Sequence, residues 1–138
     1  MQIIDIKIKE ATAARRAGRT DEAASLADAA LVAARESGDC LLVAYALRHT
    51  ADVHSQLGHS HQAADEITEA IRIYREHASD HTLDLANALR ISALNAERGA
   101  LAAWQEAKTL YALVDVQAGI DGATQHVQHL SASLGGIS

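Results

Sequence analysis

An all-α fold is predicted by three observations. The chain contains no proline and no phenylalanine, while about thirty of its 138 residues are alanine. Its apolar residues recur at helical spacing over most of the length. Two such patterns alternate, and each returns at a near-constant interval. Ala, Leu, Glu and Arg favour helix, and without proline nothing interrupts a helix from within.

The first element spans Gln2 to Ala17. Ile4, Ile6 and Ile8 alternate with Asp5, Lys7 and Lys9, which is a strand period. Ile4, Ile8, Ala11 and Ala14 nevertheless share one helical face, so a helix is expected, its first residues frayed or extended. Gly18 ends it, and Thr20-Asp21-Glu22 reads as an N-cap with acidic residues in the first turn.

The second helix sets Ala23, Ala27, Ala30, Leu31 and Ala34 on one face. The same template returns as Ala63, Ile67, Ala70, Ile71 and Tyr74, and again as Ala100, Trp104, Ala107, Lys108 and Tyr111. The intervening helices also correspond: Ala44-Tyr45-Ala46-Leu47-Arg48 is matched by Ala86-Asn87-Ala88-Leu89-Arg90. Asp39 and Asp80, following Gly38 and Ser79, are the expected caps of these two, and Asp115 is expected to start a last helix ending at Leu134-Gly135. The expectation is about seven helices, arranged as units at about 1–38, 39–79 and 80–114, with a final helix at 115–134 and a short polar tail. The central pair, Val43 to Glu76 with its turn at Gly58-His59-Ser60, is the clearest unit.

Composition excludes several classes. A net charge of −6 opposes binding to a phosphate backbone, so no nucleic-acid partner is expected. The basic cluster Arg15, Arg16 and Arg19 reads as a solvated helix end. A single cysteine, Cys40, rules out an intrachain disulfide and suits a reducing compartment. Charges within the first apolar segment argue against a signal peptide. No run approaches the roughly 18 apolar residues of a membrane span. A cytoplasmic, non-membrane protein is expected.

Catalysis has no support in the motifs. There is no Gly-rich phosphate loop, no nucleophile elbow, and no Ser or Cys beside an evident His base, so no enzyme activity and no cofactor are expected. Seven of the eight histidines group as His54, His59 and His61, as His77 and His81, and as His126 and His129. A zinc site needs three or four converging ligands, and these spacings do not promise it. They read as surface imidazoles with no metal, a histidine-based metal site being the third-ranked alternative.

The repeat resembles the tetratricopeptide repeat, in its longer-repeat bacterial and kinesin-light-chain-like variety. Leu47, Ala51, Gly58, Ala63 and Ala70 stand at that family's consensus positions. His54 and Ile67 replace aromatics, and Arg75 replaces a common proline. The resemblance implies a right-handed α-α superhelix, a solenoid of three helix-turn-helix repeats and a C-terminal capping helix. It implies a protein-interaction module, binding a peptide or partner protein in a concave groove lined by the first helix of each repeat. Carried onto this chain, the groove presents Tyr45, Arg48, Asp52 and Gln56, then Asn87, Arg90 and Leu94, with Gln125 and His129 beyond. The first helix adds Asp5, Ile8, Thr12 and Arg15. Arg48 and Arg90, equivalent in successive first helices, are expected to be free to pair with an acidic segment or a terminal carboxylate. Self-association through an end helix or the convex face, giving a homo-oligomer, is the alternative.

Overall fold

The structure is a computed structural model and describes residues 2–77 and 80–135. Among these residues every regular element is an α-helix: α1 (Gln2–Arg16), α2 (Thr20–Ser37), α3 (Cys40–Gln56), α4 (Ser60–Glu76), α5 (Thr82–Leu113) and α6 (Gln117–Gly135). The chain forms two compact units, Met1–Asn95 and Ala96–Ser138, so that α5 gives its first part to one and the remainder to the other.

The first unit is built by neighbours in sequence. Helix α1 packs on α2, α2 on α3 and α3 on α4, and α1 also touches α3. The alanines of the shared template make this possible: Ala23, Ala27, Ala30, Ala34, Ala63 and Ala70 are all fully buried. A bare methyl at such positions lets helix axes come near 8 Å rather than 10 Å. Larger side chains fill the spaces between. Ile4, Ile8, Leu47, Ile67 and Tyr74 share one core cluster with Ala88 and Ile91 of α5. A smaller cluster of Ala11, Ala14, Ala23, Ala27 and Val53 lies beside it. The first helix is thus a helix from its second residue, because Ile4 and Ile8 bury while Ile3 and Ile6 face solvent.

Close crossings at alanine carry a testable consequence. Ala51 and Ala70 have no exposed surface. Ala51→Leu and Ala70→Leu are each expected to lower stability by about 1–3 kcal/mol through overpacking, although leucine is a good helix former. Urea unfolding of the two variants measures this, and parent-like midpoints would remove the close-crossing assignment.

Within this first unit, polar groups join equivalent helices of successive repeats. Arg35 on α2 donates both guanidinium arms to the Glu69 carboxylate on α4, each at 3.0 Å. This hydrogen bond lowers the pKa of Glu69 and raises that of Arg35. Gln62 donates to Asp28 at 3.1 Å across the same pair of helices. Asn95 closes α5 onto the start of α4 by donating to the Ser60 carbonyl at 3.0 Å.

The helix ends follow the turn chemistry in part. Asp39 caps α3, accepting from the backbone N–H of Leu41 at 3.0 Å and of Leu42 at 3.3 Å. Gly38 and Gly58 hold φ of 72° and 85°, where a side chain would be strained. Thr20, however, is the first helical residue rather than the cap. Arg19 occupies that place without a side-chain hydrogen bond. Asp80 does not cap α5, which begins at Thr82 with the His81 carbonyl accepting from Leu85 N–H. Ser79, expected to precede that cap, and the tail beyond Gly135 lie outside the described residues. Asp115 does not start α6; it sits in the turn at φ 57° and α6 begins at Gln117.

The largest departure from expectation is in the third expected repeat, 80–114. Its two helices are a single 32-residue helix, so six helices stand among the described residues where about seven were expected. Nothing in Ala96-Glu97-Arg98-Gly99-Ala100 compels a turn. A glycine inside a helix costs only about 1 kcal/mol relative to alanine, and Gly99 is not in the left-handed region used by Gly38 and Gly58. The template positions of this stretch are accordingly not a buried face: Ala100 is exposed, and Trp104, Ala107 and Lys108 are only half-buried.

The second unit pairs the end of α5 with α6. Trp104 stacks on His126 with ring centroids 4.0 Å apart and planes 4° from parallel. Tyr111 lies over the backbone at Gly119, where an added Cβ would stand 2.5 Å from the ring. Gly119→Ala is therefore expected to push the two helices apart and to lower the melting temperature of this unit. Trp104 is the sole tryptophan and its emission reports the change. Combining Gly119→Ala with Tyr111→Ala should restore part of the loss if the ring is the obstacle.

Candidate functional site

Tyr45, Arg48, His49 and Asp52 project from α3 between α1 and the start of α5. All four are half-buried. Their spacing along α3 puts them on one helical face, because residues three and four apart are neighbours. The Tyr45 hydroxyl donates to Asp5 of α1. Burial, followed by this hydrogen bond and the Asp5 charge, pushes the Tyr45 pKa up to about 12, so it remains a neutral donor. Burial also raises the Tyr74 hydroxyl. His49 is shifted down, by burial first and the Arg48 charge second, which favours its neutral form. Its Nε2 then accepts from Arg48 Nη2 at 3.4 Å.

Arg48 is not the free cation that its place in the repeat suggests. Its side chain is only 12% exposed, and Nη2 lies 3.6 Å from Asp84 Oδ1 at the start of α5. Its guanidinium carbon also stands 5.8 Å from the Tyr45 ring centroid. Asp84 in turn contacts His81 Nδ1 at 3.1 Å. A carboxylate one helix away thus neutralises Arg48, an arrangement that sequence spacing within α3 could not disclose. The neighbouring Asp52 instead accepts from Gln56 at 3.0 Å.

The other expected groove residues divide. Thr12, Arg15 and Asn87 are half-buried, and Gln56 and Arg90 are exposed. Leu94 is corrected to a core residue, at 6% exposure, since the inward face of α5 continues through Ala88 and Ile91 to it. Ile8 is likewise in the core. Gln125 and His129 are exposed on α6 and belong to the second unit.

Beside the polar band, Asp39 with Leu41, Leu42 and Tyr45 of α3, Tyr74 of α4, and His81 and Asp84 line a cavity of about 360 Å³. Its walls combine apolar surface with carboxylates. Such a site can hold a side chain that has an aliphatic stem and a polar or cationic end.

A second polar cluster was not expected at all. His54 is fully buried rather than a surface imidazole. Its Nδ1 faces Glu66 Oε1 of α4 at 2.5 Å, and its Nε2 lies 3.3 Å from Asp28 Oδ1 of α2. Thr50 Oγ1 stands 3.2 Å from Glu66 Oε2. Burial favours the neutral imidazole, but the Glu66 hydrogen bond and the charges of Glu66 and Asp28 outweigh it, and the His54 pKa is raised. A signal was present in the sequence. His54 continues the apolar stripe of Leu47 and Ala51, and Glu66 lies within that of Ala63, Ile67 and Ala70, both polar residues at inward positions.

Among the described residues no helix is long and apolar enough to cross a membrane. A family model described as the tetratricopeptide repeat matches residues 3–76. No curated protein and no solved structure matches the chain.

Proposed function

The chain belongs to the tetratricopeptide repeat family, whose repeats generally mediate protein–protein interaction, and from that premise we propose that it binds an extended segment of a partner protein along the face carrying Asp5, Tyr45, Arg48 and Asp84. The observation that carries this reading is the cavity beside those residues, lined by leucines and aspartates together. The pairing of Arg48 with Asp84 argues against an acidic partner segment. Asp5, Asp39 and Asp84 outnumber Arg48 there, and the whole chain carries −6. The fitting occupant is a lysine or arginine, its stem against Leu41 and Leu42 and its charge toward Asp84.

Hydrogen bonds to charged groups contribute about 1.5–3 kcal/mol, so losing one corresponds to roughly ten-fold or more in affinity. The test is a peptide array followed by fluorescence anisotropy, comparing Lys- or Arg-bearing peptides with Glu-bearing counterparts. Binding of basic peptides, weakened by salt and by Asp84→Asn, supports the reading. Preference for acidic peptides, or indifference to Asp84, would place recognition elsewhere.

Self-association is a second reading, favoured by the apolar residues around the α5–α6 turn. Leu110, Leu113, Val114 and Val116 are 54%, 77%, 68% and 43% exposed. Patches of this kind often mark contact sites. Light scattering across a concentration series tests it, and a constant monomer mass would remove it.

A further inference from the structure

We propose that Asp28 and His54, with Glu66 behind them, form a binding site for a divalent transition-metal ion of the zinc class. The three residues come from α2, α3 and α4, and each offers an atom within 4.8 Å of the other two. This proposal is independent of the peptide-binding reading.

The partners of the imidazole decide where its hydrogen sits. Glu66 Oε1, at 2.5 Å, accepts, so Nδ1 carries the hydrogen and donates. In the neutral ring Nε2 is then a lone pair. That lone pair is buried, makes no hydrogen bond of acceptable geometry, and lies 3.3 Å from another acceptor, Asp28 Oδ1. Two acceptors facing each other require a positive charge between them. Either a second proton or a metal ion supplies it.

The distances suit the ion. Ligands bound at about 2.0–2.1 Å in a tetrahedral shell stand roughly 3.3–3.4 Å from one another. The Nε2 to Oδ1 separation of 3.3 Å is one edge of such a shell, whereas as a hydrogen bond it is long and misdirected. Metal-binding histidines commonly donate their other ring N–H to a carboxylate, which sets the tautomer and raises ligand basicity. Glu66 does this, and is itself steadied by Thr50. The ion would meet solvent on the side of Asp28, whose side chain is 56% exposed. Water and the exposed ring of His59, with its centroid 6.1 Å from that of His54, are available for the remaining positions.

Protons compete for the same nitrogen. The charged or titratable groups facing His54 are Asp28 from α2, Glu66 from α4 and His59 from the α3–α4 turn. Binding should therefore release a proton and weaken as the pH falls below neutrality.

The experiment titrates the full chain with zinc chloride by calorimetry, and with cobalt chloride by visible absorption. Asp28→Asn, an exposed change compatible with folding, is compared with parent, His54→Gln and a His61→Ala control. The expected result is single-site binding by the parent, a tetrahedral cobalt spectrum, and at least about ten-fold weaker binding by Asp28→Asn. His61→Ala should bind as the parent does. No zinc binding by the parent, or binding unchanged in Asp28→Asn, would overturn the proposal. Loss of binding only in the His61 control would assign the ion to the surface and overturn it equally.

Discussion

Replacing His54 with alanine is expected to lower the unfolding free energy by about 3–5 kcal/mol, the range found when one member of a buried charged pair is removed. The ring has no exposed surface and links α2, α3 and α4 through Asp28 and Glu66. Its loss leaves a cavity and a nearly buried carboxylate that keeps its hydrogen bond from Thr50. The pair should also make stability depend on pH. Because the folded-state pKa of His54 is raised, its contribution is fully present below the ordinary value of 6.5 and lost as the pH rises through the folded-state value. Urea midpoints of the parent and of His54→Gln, measured from about pH 5.5 to 9, test the sign. The parent's advantage should shrink as the pH rises. A constant difference would show that His54 does not change its charge on folding.

Leu47→Ala should cost about 2–5 kcal/mol. Leu47 is among the largest side chains with no exposed surface, and it lies in the cluster shared by α1 to α5. Total stability for a domain is usually about 5–15 kcal/mol, so the variant is expected to retain little margin at elevated temperature. Chemical denaturation measures the change directly. Leu89→Ala is the informative comparison: it occupies the equivalent place in the repeated Ala-x-Ala-Leu-Arg motif but is 42% exposed, so its effect should be much smaller. Equal losses at the two positions would contradict the different packing of α3 and α5.

That contrast separates what was legible in the sequence from what was not. Helical character followed from local rules, because the alanine-rich composition and the period of the apolar residues act within single helices. The template of Ala23, Ala27, Ala30 and Ala34, repeated at Ala63, Ile67, Ala70 and Tyr74, identified an inward face that is indeed buried. The Asp39 cap and the Gly38 and Gly58 turns were also readable, since each involves only a few consecutive residues. Tertiary structure decided the rest. Continuity of α5 depends on the absence of any compensating turn around Gly99, where a repeated pattern had suggested a break. Arg48 is neutralised by Asp84 and Leu94 is drawn into the core because each meets a distant part of the chain. His54 meets Asp28 and Glu66 only when three helices converge. Helix periodicity specifies which way a side chain points, but the charge or void that receives it belongs to a neighbouring helix.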